Sequence, residues 1–200
     1  MTRTISKSQV IDALNEAFNI CELLQKKYLS YEELDRSDAN LLHIVTTYFQ
    51  KNITVTEHHH VWSEGPILAF SLQYDDRFEI CLLADLNYCR RKLALCKELF
   101  HLILSNPESI SVEFDETIEK CASGGALDDI ASSEYVAEIA AMEYLFPYSH
   151  RLEICKKPYV LDDIALRYRL PKITVEQYLT KSKMDALLGC YKLSSFGKLL

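Results

Sequence analysis

The run Leu93-Ala94-Leu95-Cys96-Lys97-Glu98-Leu99-Phe100-His101-Leu102-Ile103-Leu104 carries apolar residues at helical spacing and places three ionisable side chains within little more than one turn. Residues four apart share a helix face, so Lys97 and His101 lie one above the other, with Glu98 beside them. The helical period extends back to Tyr88 and stops at Asn106-Pro107. Before it the period is two. Residues 53–61 (Ile-Thr-Val-Thr-Glu-His-His-His-Val) are rich in β-branched side chains and read as a half-buried strand. Gly65-Pro66 marks a turn, and 67–73 and 78–83 read as a hairpin joined by Tyr74-Asp75-Asp76-Arg77.

Further out, the chain is helical at both ends. Ser6 can cap a helix reaching about residue 29, with Val10, Ala13, Leu14, Phe18, Cys21 and Leu24 at helical spacing. A second helix is expected over 33–50, a long one over 127–146 ended by Pro147, and a pair over 161–168 and 174–188 around Arg169-Leu170-Pro171-Lys172. The polar stretch 108–125, with Ser123-Gly124-Gly125, reads as a loop. The expected fold is therefore α+β: a small antiparallel or mixed three-stranded sheet packed by helices, with N- and C-terminal helices added. One domain over 1–200 is expected, comprising an N-terminal helical part (1–50), a core (53–147) and a C-terminal helical pair (160–190).

The chain has 200 residues, 48% hydrophobic and 26% charged, which is a globular profile. Its net charge of −7 argues against binding nucleic acid or anionic membrane over the whole surface. Seven cysteines occur with no C-x-x-C pair, so reduced thiols are expected in place of a disulfide framework. With no signal-peptide core near Met1 and no apolar run of bilayer length, a cytoplasmic protein without a membrane partner is expected.

In the zinc-peptidase motif H-E-x-x-H, two imidazoles at i and i+4 grip one metal and the adjacent Glu acts as general base on the metal-bound water. Here those positions hold Lys97, Glu98 and His101: the base and the second ligand are present, and the first ligand is not. Glu-x-x-His alone is too common to identify a peptidase. A later helix adds to it, reading Glu134-Tyr135-Val136-Ala137-Glu138-Ile139-Ala140-Ala141-Met142-Glu143-Tyr144-Leu145-Phe146-Pro147.

Together the two segments resemble the ImmA/IrrE family of metallopeptidase-like proteins, whose motif helix reads R-F-(T/S)-L-A-H-E-L-G-H-L and whose later helix reads E-x-x-A-N-x-F-A-A-E-L-L-M-P. The resemblance spans about 53–179 and implies a zincin-like core. It assigns Glu98 as the catalytic carboxylate and His101 and Glu134 as metal ligands; Ala137, Ala141, Glu143, Leu145 and Pro147 keep the second motif. Three positions depart from it: Lys97 replaces the first His, Phe100 a small residue, and Glu138 an Asn. A protonated amine is a poor zinc ligand, and two ligands remain where a catalytic site uses three. The expectation is an incomplete zinc site with no cofactor, in which Lys97 stands in for the metal by pairing with Glu134 or Glu98. Family roles imply regulation of mobile elements or stress responses through a protein partner, with a repressor as the candidate.

Two other functions stay open. In the first, the protein is an active zinc endopeptidase with Glu98 as base and the ligand set completed from a loop, by Cys121 or a His. In the second, it is a DNA-associated regulator using the C-terminal helices, where Gln177, Lys172, Lys181 and Lys183 are available beside Glu176 and Asp185. Several residues have plainer readings. His58 and His60 share a strand face and could bind a metal, or belong to a polar edge. Cys96 projects about 140° from His101 and reads as packed. Arg90, Arg91 and Lys92 could hold an anion or simply be a solvated helix start. Trp62, with Tyr74 and Phe78, reads as sheet core.

Overall fold

The computed structural model describes residues 6–27, 36–48, 50–59, 61–62, 65–66, 68–74, 77–104 and 127–196. Cys121, the stretch 108–125, His60 and the Trp62 side chain lie outside the described residues. The fold is α+β, with eight helices and a small mixed sheet among the described residues.

Helix α1 (Lys7–Lys27) begins at a reciprocal cap: the Gln9 N–H donates to Ser6 Oγ at 3.3 Å and the Ser6 N–H to Gln9 Oε1 at 2.9 Å. Val10, Ala13, Leu14, Ala17, Ile20, Cys21 and Leu24 form its buried stripe. Helix α2 (Asp38–Tyr48) starts later than the expected 33, because Ser37 caps it by accepting from the Asn40 N–H at 3.1 Å.

Strands β1 (Ile53–His58), β4 (Ala69–Gln73) and β5 (Phe78–Leu83) form one sheet in the order β1-β5-β4. The β4–β5 hairpin is antiparallel, as its turn signal predicts, but β1 runs parallel to β5, so the sheet is mixed. Central β5 is buried at Phe78, Ile80, Cys81, Leu82 and Leu83, as a strand covered on both faces should be. Gly65-Pro66 is not the turn itself: it is strand β3 (Gly65–Pro66), paired with β2 (Val61–Trp62) in a separate two-residue ladder. Of the expected sheet-core aromatics, Phe78 is buried while Tyr74 is exposed.

Helix α3 (Tyr88–Leu104) packs on α4 (Leu127–Leu145), and α1 packs on α4 from another side. Their apolar faces form a single buried cluster with α2 and β5. Pro147 ends α4 and opens α5 (Tyr148–Cys155), a helix the periodicity does not single out. Glu143 reaches across that break: the Tyr148 N–H donates to its carboxylate oxygens at 3.0 and 3.1 Å. Helix α6 (Leu161–Tyr168) ends at Arg169 in the left-handed region, φ 52°. The expected single helix over 174–188 is two, α7 (Lys172–Leu179) and α8 (Lys181–Tyr191), because Thr180 leaves helical geometry and its hydroxyl caps α8. Among the described residues no helix is long and apolar enough to cross a membrane.

Candidate functional site: a lysine-bridged carboxylate between two helices

Because α3 and α4 pack face to face, the side chains Lys97 and His101, one turn apart on α3, meet Glu134 on α4. Lys97 Nζ forms an ion pair with Glu134 Oε2. Glu134 Oε1 lies 3.0 Å from His101 Nε2. Ser133, the residue before Glu134, places its hydroxyl 3.3 Å from the other ring nitrogen, Nδ1. Lys97, His101 and Glu134 thus come together as the sequence predicts, and their side chains are 26%, 16% and 44% exposed, so the group sits at the wall of the fold and not in its core.

Glu98 points elsewhere. About 100° around the helix from Lys97, it turns toward the sheet, where the Ser71 hydroxyl of β4 donates to its Oε2 at 2.7 Å. It is 6% exposed. Burial pushes its carboxyl above the ordinary carboxylate range; His101, the Ser71 hydrogen bond and Lys97 pull the other way without cancelling it, and Glu134 adds to the rise. Sequence reasoning missed both Ser71 and Ser133. The only available signal for the first is a polar residue inside the apolar run Ala69-Phe70-Ser71-Leu72, and for the second, its adjacency to Glu134.

Glu134 behaves in the opposite way. Burial works to raise its carboxyl, but the His101 ring beside it together with the Lys97 ammonium outweigh that and hold it down to about 2. The folded value lies below the ordinary 4.5, so the ion pair's contribution to stability is fully present above about pH 4.5 and is lost as the pH falls through about 2. Thermal melts of wild type and Glu134→Gln between pH 5 and pH 2 check this. The wild type should be the more stable of the two at pH 5, and its advantage should shrink on acidification.

Zinc does not fit this donor set. The first ligand position presents an ammonium with no lone pair, and that ammonium already occupies one oxygen of the carboxylate that faces His101 from α4. Glu98 is tied to Ser71. Among the described residues no group of three or more His, Cys, Asp or Glu is gathered for a metal. Cys96 is fully buried, its thiol pushed well up by burial, and is packing as expected.

The remaining candidates also resolve. His58 is buried against the Phe70 ring, centroids 5.1 Å apart, so the polar-edge reading of this histidine is corrected; His59 is exposed. Arg91 pairs with Glu57 at 2.8 Å, and Lys92 is not solvated but buried, donating to the Tyr168 carbonyl at 3.1 Å. Lys92 therefore serves the C-terminal end of α6, where a cation is favourable. At the C-terminal helices, Lys172 pairs with Asp162 at 2.8 Å and Lys183 donates to the Tyr135 hydroxyl at 2.8 Å, which engages two of the cations that a phosphate contact would use.

No protein-family model matches the chain, and no curated protein matches it. A solved structure described as a Mycobacterium tuberculosis transcriptional regulator is similar to it, with 13% identity and a TM-score of 0.46 over 84% of this chain and 49% of that one. The chain spans about half the length of that structure, and a likeness at this level carries no argument about function.

Proposed function

We propose that the chain is a degenerate member of the ImmA/IrrE family, with a zincin-like core whose metal has been replaced by the Lys97 ammonium, and that it acts in regulation by binding a protein partner. The observation that carries this reading is the position of Lys97 on the carboxylate that also faces His101. A single fixed cation there neutralises Glu134, as zinc would in a complete site, and needs no third ligand. Without a metal to lower the pKa of a bound water, Glu98 has no activated nucleophile to deprotonate. Its place as general base falls away, and its bond to Ser71 becomes a tie between α3 and the sheet. The partner class implied by the resemblance is a repressor in the cytoplasm.

The test is an endopeptidase assay on an unfolded protein substrate with zinc supplied. Wild type and Glu98→Gln are expected to show the same background rate. Cleavage that depends on both zinc and Glu98 would overturn the reading.

A further inference from the structure

We propose that the groove between α1, α4 and α8 binds an α-amino acid with an apolar side chain, its carboxylate held by Lys7 and its ammonium by Asp185. Helix α1 packs against both α4 and α8, and the groove they leave has a volume of about 440 Å³, within the range of small-molecule sites. Its floor is apolar: Val10, Ile139 and Leu187 line it and are 7%, 1% and 4% exposed. Lys7 and Asp185 line it as well, and both are exposed. Neither side chain has an ion-pair or hydrogen-bond partner among the described residues. Opposite charges that border one cavity without pairing suit a ligand that carries both signs.

Two features that do not serve the helices are accounted for by such a site. Lys7 is the first residue of α1, where a cation opposes the helix dipole, and no acidic residue in the first turn offsets it. Gly189 lies within α8, although glycine is among the poorest helix formers. Outside its own helix, a methyl group at Gly189 would meet only the Lys7 ammonium, at 3.8 Å. That is an ordinary contact, so packing does not require the glycine; the missing side chain keeps the groove open beside Lys7. Asp185 is four residues earlier and shares that face of α8, about 5–6 Å from Gly189. The ammonium and the carboxylate thus stand about one helical turn apart along the groove, a span that a small zwitterion bridges. The floor between α1, α4 and α8 then receives its apolar side chain. The site shares no residue with the Lys97 group and does not depend on how that group is read.

The full chain, isotope-labelled, is titrated with L-leucine, and binding is followed by NMR at the Gly189 and Cys190 amides. Both are expected to shift saturably. Isocaproate, which lacks the ammonium, and isoamylamine, which lacks the carboxylate, should each bind about 5-fold more weakly, the worth of a good exposed ion pair. Lys7→Gln should weaken leucine by the same factor and leave isoamylamine unchanged. Asp185→Asn should do so for leucine and leave isocaproate unchanged. Gly189→Leu, which fills the groove, should abolish the Cys190 shift without lowering the melting temperature. No saturable shift at about 50 mM leucine, where a site of millimolar Kd is nearly full, would overturn the proposal. Equal affinity for the three compounds would overturn it too, by leaving neither charge a part in binding. Lys7→Gln and Asp185→Asn change only exposed side chains, so their result stands even where Gly189→Leu fails to fold.

Discussion

Lys97→His is expected to turn the chain into a zinc protein, with zinc affinity at least about 100-fold above that of the wild type. The substitution makes two changes at once. It removes the ammonium from Glu134 Oε2, and it puts an imidazole one turn before His101 on the face that already looks at that carboxylate. Three donors then converge: two imidazoles on α3 and a carboxylate on α4, the count a catalytic zinc site uses. Loss of a partner that merely orients a ligand costs 10- to 100-fold in affinity, so a missing ligand should cost no less. Calorimetric titration with zinc against a competing chelator reads the difference. A Lys97→His chain of native circular dichroism that binds zinc no better than the wild type would show that the surrounding geometry, and not Lys97, keeps metal out.

The second large effect lies away from the site. Arg151→Met is expected to destabilise the fold by about 3–5 kcal/mol. Arg151 Nη2 donates to Glu143 Oε2 at 2.6 Å, with the two side chains 1% and 0% exposed. The guanidinium also lies over the rings of Phe146, Tyr148 and Tyr178, its carbon 5.3 to 5.9 Å from their centroids. Removing it takes the adjacent guanidinium from a fully buried carboxylate, leaving it the Tyr148 N–H and the Tyr191 hydroxyl, and burial already works to push this carboxyl up. The same carboxylate caps α5, while the Arg36 guanidinium caps the last carbonyls of α4 at 3.0 and 3.2 Å. The joint between α4 and α5 is thus fastened by buried charge on both sides of Pro147. For a domain of this size, each kcal/mol moves the melting temperature by about 2–4 °C, so a fall of roughly 6–20 °C is expected. Replacing both partners, Glu143→Leu with Arg151→Met, should cost less than the single change, because no lone buried charge remains. A single variant within about 1 kcal/mol of the wild type would show that the pair does not fasten this joint.

Where local chemistry set the structure, the sequence was readable. The end of α4 follows from Pro147, which stops a helix for steric reasons. The β4–β5 hairpin follows from the turn residues between two apolar runs. Where a choice depended on a distant partner, it was not. The alternation from Ile53 to His58 suits a parallel neighbour as well as an antiparallel one, so the direction of β1 relative to β5 could not be read. Thr180 interrupts a run of good helical period because its hydroxyl has a capping role, which period alone does not reveal. The same division holds at the site. Helical spacing placed Lys97 above His101, and the resemblance of the later helix placed Glu134 opposite. The Ser71–Glu98 hydrogen bond joins a strand to a helix 27 residues on, and nothing near either residue announces it. Lys92 reads as a solvated cation from its neighbours, and only the arrival of the Tyr168 carbonyl from the end of α6 shows that it is buried on a partner.

The claim that Lys97 holds the place of a metal is tested most directly by zinc content. Wild-type protein is saturated with zinc, freed of unbound metal by gel filtration, and analysed for zinc per chain. The account predicts far less than one equivalent, with the Lys97→His chain treated in parallel retaining about one. One tightly held zinc per wild-type chain would contradict it.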